Sequence, residues 1–458
     1  MHKLAEPVQA TAQATACCRL PALPSGLPLF DLYLYGVDTS LPRDFCRKIN
    51  ETPMIKAAPT WLVPITAIFV LQTTAAFLAR FIPIIAPALS EEFGWSGSSI
   101  GYLTASNSLG GLAILVAGSA LFKQIGGMRC LQYTMLLGAA GMALFLHPSV
   151  SVALAACFVM GLSNGAANPA GSEVLQRFSP PGKRNLIFSI KQAGVPLGGV
   201  IAGLLVPAIV ALAGWRTALF VCAWLVILPT MLTWRVGHRL DDTPAAGRLR
   251  FTPPKLQWLR TFKTPLESLM RSRGLMKVAI VGSLFAVSQS CWFTFTVIYL
   301  IDRLDYSLGE AGVVFAVMQA GGVIGRIALG WLSDHLHSTA VPLFIAAVFS
   351  AATTVLLGWS APGWPLWALV LLAFVAGSSV ASWNGVQIAE VARRSPPHLI
   401  SETAAGASIL VSVVNMLAPA AFAAFVAATG RYDYAFACAG ACTLLAVGLL
   451  PRGKPVAR

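Results

Sequence analysis

The chain has 458 residues, of which 56% are hydrophobic and 11% are charged, and it carries a formal net charge of +14. A water-soluble protein of this length could not bury so much apolar surface, and the charged share is less than half that of an ordinary soluble domain. The composition therefore excludes a disordered chain, a collagen-like repeat and a secreted disulfide scaffold, and it indicates an integral membrane protein.

Residues 1–57 form an N-terminal extension that differs from the rest of the chain. They mix acidic and basic residues with prolines and contain no apolar run long enough for a signal peptide. Met54 stands just before the first long apolar run, so two interpretations stay open. Either the extension is a disordered cytoplasmic tail, or translation starts at Met54 and residues 1–53 are absent from the native protein.

Long apolar runs follow in two groups of six, and a membrane-spanning helix needs about 20 apolar residues. The runs begin near Trp61, Ser98, Cys130, Val150, Leu186 and Trp215, and again near Leu275, Gly309, Thr339, Trp364, Ala404 and Tyr432. The pattern predicts an all-α membrane protein with twelve transmembrane helices in two six-helix bundles, residues 58–237 and 275–451. A basic central loop, 238–274, joins the bundles, and a tail, 452–458, ends the chain.

The loops between these runs divide the charge unequally. Loops on the side of the central loop carry basic residues, namely Lys123, Arg129, Arg177, Lys183, Arg184, Arg393 and Arg394. Loops on the other side carry few basic residues and several acids. The positive-inside rule then places both termini and the central loop in the cytoplasm, with the chain in a bacterial inner membrane. Because topology accounts for the basic excess, no nucleic-acid partner is expected.

The two halves repeat at fixed spacings. Pairs 216 positions apart are Asn168 with Asn384 and Arg177 with Arg393, and pairs 212 positions apart are Gly110 with Gly322 and Gly118 with Gly330. Both arginines are followed closely by Ser-Pro-Pro. A parallel repeat of two six-helix halves is typical of a transporter whose binding site lies near the middle of the membrane.

From the second-half stretch Gly330-Trp331-Leu332-Ser333-Asp334, the chain resembles the major facilitator superfamily, over residues from about 60 to 451. In the loop motif of that family a Gly is followed four residues later by Asp. The resemblance implies that Gly330 permits close helix contact and that Asp334 caps a helix or pairs with an arginine such as Arg326. In the first half Gly118 is followed by Phe122, so the acid is missing. Gly118, Arg326, Gly330 and Asp334 are the predicted gating residues.

A glycine-rich stretch lies in the fifth span. Gly194-Val195-Pro196-Leu197-Gly198-Gly199 is similar to a motif of the family's antiporters, with the proline displaced by one residue. We interpret these glycines as a ridge for close helix packing and do not infer antiport from them.

Arg80 lies close to the middle of the first run, which is otherwise uncharged from Trp61 to Leu89. An ionisable residue at mid-span costs about 2.5–3.5 kcal/mol or more, so it is a functional candidate. We predict that Arg80 faces a cavity and binds substrate, with structural pairing or snorkelling as the alternative. Many relatives carry Arg before Phe in this helix, so the resemblance supports this placement.

Lys191 and Glu173 lie at similar depth on the fifth and fourth spans, about 9 Å inside the cytoplasmic face. They can neutralise each other in a structural ion pair. If Glu173 instead pairs with Arg177, one turn on, Lys191 is available to an anionic substrate. Glu173 is therefore a candidate ion-pair or proton site, and Lys191 a candidate substrate contact.

Neutral polar residues complete the predicted substrate site. Asn164 and Asn168 share one face of the fourth span, Trp383 and Asn384 lie in the tenth, and Gln289 lies in the seventh. Each alone is more often a contact between helices than a substrate contact. The matched repeat positions of Asn168 and Asn384 favour the fourth and tenth spans.

The sequence thus predicts a secondary active transporter, working by alternating access, for a small organic anion such as a carboxylate. No Asp or Glu lies near mid-membrane, which argues against a cation substrate, and proton symport is the expected coupling. Two alternatives stay open: an efflux antiporter of the same superfamily, and a transporter-like sensor. No enzyme activity, metal site or cofactor is expected, and the chain is expected to be a monomer in the bilayer.

Overall fold

The regular elements of the computed structural model are helices throughout the residues it describes, which are 62–180, 184–241, 265–270, 272–396 and 399–450. The predicted extension and tail, and most of the predicted central loop, lie outside these residues. In lipid every backbone polar group needs a partner within the protein, and a helix provides one for each residue. The apolar runs therefore fold as helices.

Within its described residues, the first half contains six long helices. Their bounds are α1 Leu62–Phe93, α2 Ser99–Ile125, α3 Gly127–Ala143 and α4 Val150–Phe178, followed by the stretch Arg184–Leu232. That stretch turns at Gly214, where φ is 80°, a conformation that favours glycine. The turn divides it into α5, residues 184–213, and α6, residues 215–232, and a short helix, Trp234–Leu240, follows.

The second half repeats this arrangement. Its helices are α7 Arg273–Leu304, α8 Leu308–His335, α9 Ala340–Gly358, α10 Leu366–Arg394, α11 Ile400–Thr429 and α12 Tyr432–Leu449. α10 consists of two segments, Leu366–Val380 and Asn384–Arg394, because residues 381–383 leave the helix. The sequence did not predict this interruption.

Ten stretches of the described chain are long and apolar enough to cross a membrane. One of them, Ile190–Leu232, has 43 residues, which is enough for two crossings, and it turns at Gly214. α2 adds a further helix of 27 residues. Within the described residues the helices thus fit the predicted twelve-span, all-α membrane architecture.

Glycines set the close packing within each half, and they repeat as the sequence does. A Cβ at Gly161 on α4 would clash with the carbonyl of Asn107 on α2. A Cβ at Gly377 on α10, 216 positions later, would clash with the carbonyl of Met318 on α8. The backbones can approach only because both positions lack a side chain.

The glycine-rich stretch of α5 packs against two helices. Gly194 and Gly198 lie against α1, and Gly199 and Gly203 lie against α8. A Cβ at Gly203 would come within 2.8 Å of the carbonyl of Gly312. The interpretation of these glycines as a packing ridge is confirmed.

The two halves meet through α1 with α7, α2 with α11, and α5 with α8. We call the end that carries the α2–α3, α4–α5, α8–α9 and α10–α11 connections the basic end. At the opposite end the contact is tight, since a Cβ at Gly97 would lie 2.7 Å from Oδ2 of Asp302 and one at Gly101 would lie 2.5 Å from Cβ of Ala423. Toward the basic end, α4 makes no extended contact with α10 or α11 among the described residues.

Candidate functional site

Arg80 on α1 presents a positive charge that no acid neutralises among the described residues. Its Cζ lies 3.9 Å from the centroid of the Phe293 ring on α7, and its Nε is buried without a hydrogen-bond partner. Arg326 on α8 is near enough to repel it. A buried donor without a partner is costly, so this guanidinium is suited to bind an anion.

Arg326 connects the interrupted middle of α10 to the other half of the molecule. Its Nε donates to the carbonyl of Ala381 at 3.1 Å, and its Nη1 donates to the carbonyl of Gln192 on α5 at 3.2 Å. Nε2 of Gln289 on α7 donates to the carbonyl of Val380 at 3.1 Å. These side chains satisfy two of the carbonyls that the interruption frees from the helix.

The predicted substrate contacts of α10 follow this interruption directly. Trp383 is 1% exposed, and its ring stacks on Phe285 with centroids 5.3 Å apart. Nε1 of Trp383 and Oδ1 of Asn384 are both buried without a hydrogen-bond partner. The amide nitrogen of Gln289, by contrast, already serves the backbone of α10. Trp383 and Asn384 thus keep polar atoms available to a ligand.

Lys191 is enclosed between α5 and α4. Its side chain is 1% exposed, and its Nζ donates to the carbonyl of Asn168 and to Oγ of Ser172, both at 2.9 Å. Glu173 forms its ion pair with Arg177, one turn along α4. Of the two arrangements that the sequence leaves open, the structure therefore has the one in which Glu173 pairs with Arg177 and not with Lys191. The Lys191 amine is nevertheless buried and already hydrogen-bonded to α4.

Asn164 and Asn168 are both exposed on the described surface of α4. They are one turn apart and therefore lie on the same side of the helix. On other sides α4 packs against α2 through Gly161 and against α3 through Ser163, whose Oγ donates to the carbonyl of Thr134 at 2.5 Å. The two asparagine side chains are thus accessible from the side of α4 that these contacts leave uncovered.

The structure corrects two contacts expected at the predicted gating residues of the second half. A Cβ at Gly330 would have no atom within 4 Å, so the prediction of close helix contact there is wrong. Gly325, five residues earlier, makes that contact with Ser378 of α10. The carboxylate of Asp334 is exposed and has no ion pair or hydrogen bond among the described residues, because Arg326 points to α10 and α5 instead. Gly118 lies within 116–124, whose side-chain surroundings are outside the described structure.

An acid that the sequence analysis missed caps α3. The carboxylate of Asp241 accepts hydrogen bonds from the backbone N–H groups of Met128 at 3.1 Å and Arg129 at 2.7 Å. An acid at a helix N-terminus satisfies free N–H groups and opposes the helix dipole. Burial raises the pKa of Asp241, and the two N–H donors lower it in part. The only sequence signal is indirect: the first-half loop motif lacks its acid, and Asp241 supplies one from 113 residues away.

Glu390 is the corresponding acid at the basic end of the second half. It is fully buried, and its oxygens accept from Thr339 at 2.8 Å, from Nε of Arg393 at 2.8 Å and from Nε of Arg394 at 2.5 Å. Thr339 stands directly before α9, as Gly126 stands directly before α3. Both acids therefore hold the start of the third helix of their half.

Comparison with known proteins places this architecture in a family. The family model described as Major Facilitator Superfamily matches residues 66–423. The 4-hydroxybenzoate transporter of Acinetobacter baylyi is 26% identical over 371 residues, which cover 74% of this chain and 78% of that protein. The probable sulfoacetate transporter of Cupriavidus necator is 25% identical over 414 residues, 84% of this chain and 92% of that protein. An uncharacterized MFS-type transporter of Mycobacterium tuberculosis is 24% identical over 396 residues, 85% and 84% of the two chains.

Solved structures have the same fold. A bacterial homologue of the human lysosomal transporter Spinster matches with a TM-score of 0.65 and 15% identity, over 86% of this chain and 95% of that one. A nucleoside transporter matches with a TM-score of 0.68 and 11% identity, over 84% and 98%. With the family model matching most of the described helices, the chain belongs to the Major Facilitator Superfamily and is a membrane transporter.

Proposed function

We propose that this transporter moves a small organic anion, most simply a carboxylate, and that Arg80 binds the negative charge. The observation that carries the proposal is the guanidinium of Arg80, which lies on the Phe293 ring with a buried Nε that has no partner. An arginine can hold a carboxylate through two parallel hydrogen bonds. In a site shielded from water such a charge-assisted contact is stronger than at an exposed surface.

The charge balance of the spans supports an anion over a cation. A cationic substrate needs an acid in the membrane to offset its charge. Glu173 is paired with Arg177, and Glu390 is buried between Arg393 and Arg394. Arg80 and Arg326 repel each other, and neither is paired with an acid in the part of the chain that the structure describes, so an anion would relieve that repulsion.

The relatives support the same substrate class. Two of them are named as transporters of 4-hydroxybenzoate and of sulfoacetate, and a further one, from Bacillus subtilis and 24% identical over 274 residues, is a hexuronate transporter. All three names denote organic acids. We infer a site that takes an acid group at Arg80 and further polar groups at Asn164, Asn168, Trp383 and Asn384, while Lys191 and Gln289 hold neighbouring helices together.

The transport cycle that we propose is alternating access between two six-helix bundles, 58–237 and 275–451. The tight contact at the opposite end and the separation of α4 from α10 and α11 support a conformation open toward the basic end. By the positive-inside rule this end faces the cytoplasm of a bacterium, with both termini on that side. A coupled proton would offset the charge of the anion during crossing, and the monomer is the proposed transport unit. The glycines of α5 pack against α1 and α8. Because this packing accounts for them, their similarity to an antiporter motif is not taken as support for antiport.

A thermal-shift experiment tests the binding step. The purified wild-type protein is heated with small carboxylates, inorganic anions and organic cations, beside Arg80→Ala and the control Arg216→Ala, which removes an exposed ion pair with Glu92. A ligand that binds the folded state raises the melting temperature by mass action. We expect a carboxylate to stabilise wild type and the control but not Arg80→Ala. Stabilisation by cations alone, retained in Arg80→Ala, would overturn the proposal.

A further inference from the structure

The amide of Gln319 on α8 is a buried polar group whose nitrogen lacks a hydrogen-bond partner within the described structure. The side chain is 2% exposed, and its Nε2 is buried without a hydrogen bond. Most buried polar atoms in proteins are hydrogen-bonded, and an unsatisfied one destabilises the fold. Packing alone would be served better by an apolar side chain of the same size, so the polar end of this side chain needs a further explanation.

A glycine on the facing helix makes room for this amide. A Cβ at Gly199 of α5 would lie 2.5 Å from both Cδ and Nε2 of Gln319. Glycine is unfavourable inside a helix, because it adds conformational entropy to the unfolded chain. The chain therefore keeps a costly residue at the position where the Gln319 amide rests, so the amide is a fixed part of the α5–α8 contact.

An aromatic pair links Gln319 to Arg80. The Arg80 guanidinium lies on the ring of Phe293, and Phe315 meets Phe293 edge-on with centroids 6.5 Å apart. Phe315 and Gln319 are four residues apart on α8, so they lie on the same face of that helix. The free guanidinium and the free amide therefore flank one pair of packed rings.

Helix α5 also connects the region of Arg80 on α1 with Gln319 on α8. A Cβ at Gly198 would lie 2.6 Å from the backbone nitrogen of Phe77 on α1, and the next residue, Gly199, rests against Gln319. Arg80 follows Phe77 by three residues, which is about one helical turn. Adjacent residues of α5 thus contact the Arg80 turn of α1 and the Gln319 side chain of α8.

We propose that Gln319 binds a hydroxyl group of the substrate while Arg80 binds its carboxylate, so that the protein selects hydroxy-acids over the corresponding simple acids. This inference rests on the proposed function and narrows its substrate class. An amide both donates and accepts hydrogen bonds, as a hydroxyl does. A site built to bond a hydroxyl discriminates strongly against an analogue that lacks it, because the polar group of the protein is then left unpaired.

The test compares matched ligand pairs on the purified full-length chain. Dissociation constants are measured by titration calorimetry for benzoate with 4-hydroxybenzoate and for propionate with lactate. We expect wild type to bind the hydroxylated member of at least one pair ten-fold or more tightly. In Gln319→Leu that preference falls below three-fold, while affinity for the simple acid changes less than three-fold. Gln192→Leu is the control, because only the backbone of that exposed glutamine takes part in a described contact.

One further variant and one stability measurement guard against misfolding. Gly199→Ala displaces the amide without removing it and should also reduce the preference. Gln319→Leu removes an unpaired buried amide, so its ligand-free melting temperature should equal or exceed that of wild type. Equal binding of both pair members by wild type, or a preference that survives in Gln319→Leu, overturns the inference and leaves carboxylate transport standing. Failure of wild type to bind any of the four acids overturns the proposed function as well.

Discussion

Arg80 and Lys191 are two cations in apolar helices that the fold treats differently. Lys191 has two oxygen acceptors on α4, each 2.9 Å from Nζ, whereas the Nε of Arg80 has none. A buried amine with neutral acceptors joins two helices, while a guanidinium without acceptors is open to a ligand. We therefore propose different functions for the two residues, packing for Lys191 and anion binding for Arg80.

The role of Lys191 is tested by changing its shape and charge separately. Lys191→Met keeps most of the volume and removes a buried charge that has no acid partner among the described residues, so its unfolding free energy should match or exceed that of wild type. Lys191→Ala leaves a cavity between α4 and α5 and should cost about 2 kcal/mol or more. Chemical denaturation in detergent measures both. A large loss in Lys191→Met would mean that its charge stabilises the fold.

Two acids at the basic end offer a matched stability test. Asp241 caps α3 through two N–H groups, so Asp241→Ala should cost about 1 kcal/mol, as the loss of a cap does. Asp334 has no described partner, and Asp334→Ala should change the unfolding free energy by less than about 0.5 kcal/mol. Denaturant unfolding of the two variants measures both losses of unfolding free energy. The reverse order of effects would restore Asp334 as the stabilising acid.

Single residues in apolar runs could be predicted where the chemistry is local. Arg80 stands out because any charge in such a run is costly, and its position away from both ends of α1 could be counted from the sequence. The partners of Lys191 could not be predicted, because one of them is a backbone carbonyl that carries no sequence signal. Asp241 acts on a helix that begins more than a hundred residues earlier, so spacing along the chain gave no indication of it.

At the scale of elements, α4 and α10 occupy equivalent places but differ in continuity. α4 runs unbroken through Pro169, whereas α10 leaves the helix at residues 381–383 just before Asn384. Gln289 and Arg326 satisfy carbonyls at that interruption. Residues 378–384 contain no proline or glycine, although Gly377 and Gly385 flank them, and tertiary hydrogen bonds hold the interruption. Irregular backbone of this kind is tolerated at membrane depth only where protein or a cavity surrounds it.

Two glycines of the second half should respond oppositely to a methyl group. Gly377→Ala places a Cβ against the carbonyl of Met318 and should destabilise the protein by about 1–3 kcal/mol. Gly330→Ala meets no atom within 4 Å and should stabilise α8 by about 0.5–1 kcal/mol, since alanine is the better helix former. Melting temperatures of the two variants give the comparison. Equal effects would contradict the assignment of close contact to Gly377 rather than to Gly330.

The existence of the helices could be predicted more fully than their contacts. Predicted starts at Trp61, Ser98 and Val150 lie within one residue of the helices that begin at Leu62, Ser99 and Val150. Apolar length is enough for this, because lipid forces every span into a helix. The motif around Gly330 suggested a contact that Gly325 makes instead, because the motif carries no information about which helix face turns toward α10.

At the scale of the whole molecule, a sequence repeat becomes a repeat of contacts. Gly161 and Gly377 are 216 residues apart, the spacing seen in the sequence. Gly161 lets α4 pack closely against α2, and Gly377 lets α10 pack closely against α8. The halves touch through α1 with α7, α2 with α11 and α5 with α8. Such paired contacts fit the alternating access that we propose, in which one half rotates against the other while each keeps its own packing.

The proposed orientation can be tested on two exposed leucines. Leu146 follows α3 at the opposite end, and Leu336 follows α8 at the basic end, with 55% and 42% exposure. In a cysteine-free background, a membrane-impermeant maleimide should label Leu146→Cys in intact cells and Leu336→Cys only after permeabilisation. The positive-inside rule gives this order. Labelling of Leu336→Cys alone in intact cells would show that the chain has the opposite orientation in the membrane.

Arg80 is proposed to bind the anion that is transported, and uptake into proteoliposomes tests this role most directly. Radiolabelled 4-hydroxybenzoate is the first probe, with a proton gradient imposed across the vesicle and Arg216→Ala as the control. We predict gradient-driven uptake by wild type and the control, and at least a ten-fold loss in both Arg80→Ala and Arg80→Lys, because lysine cannot form the two-pronged contact with a carboxylate. Unchanged uptake by the folded Arg80→Ala protein would contradict the account.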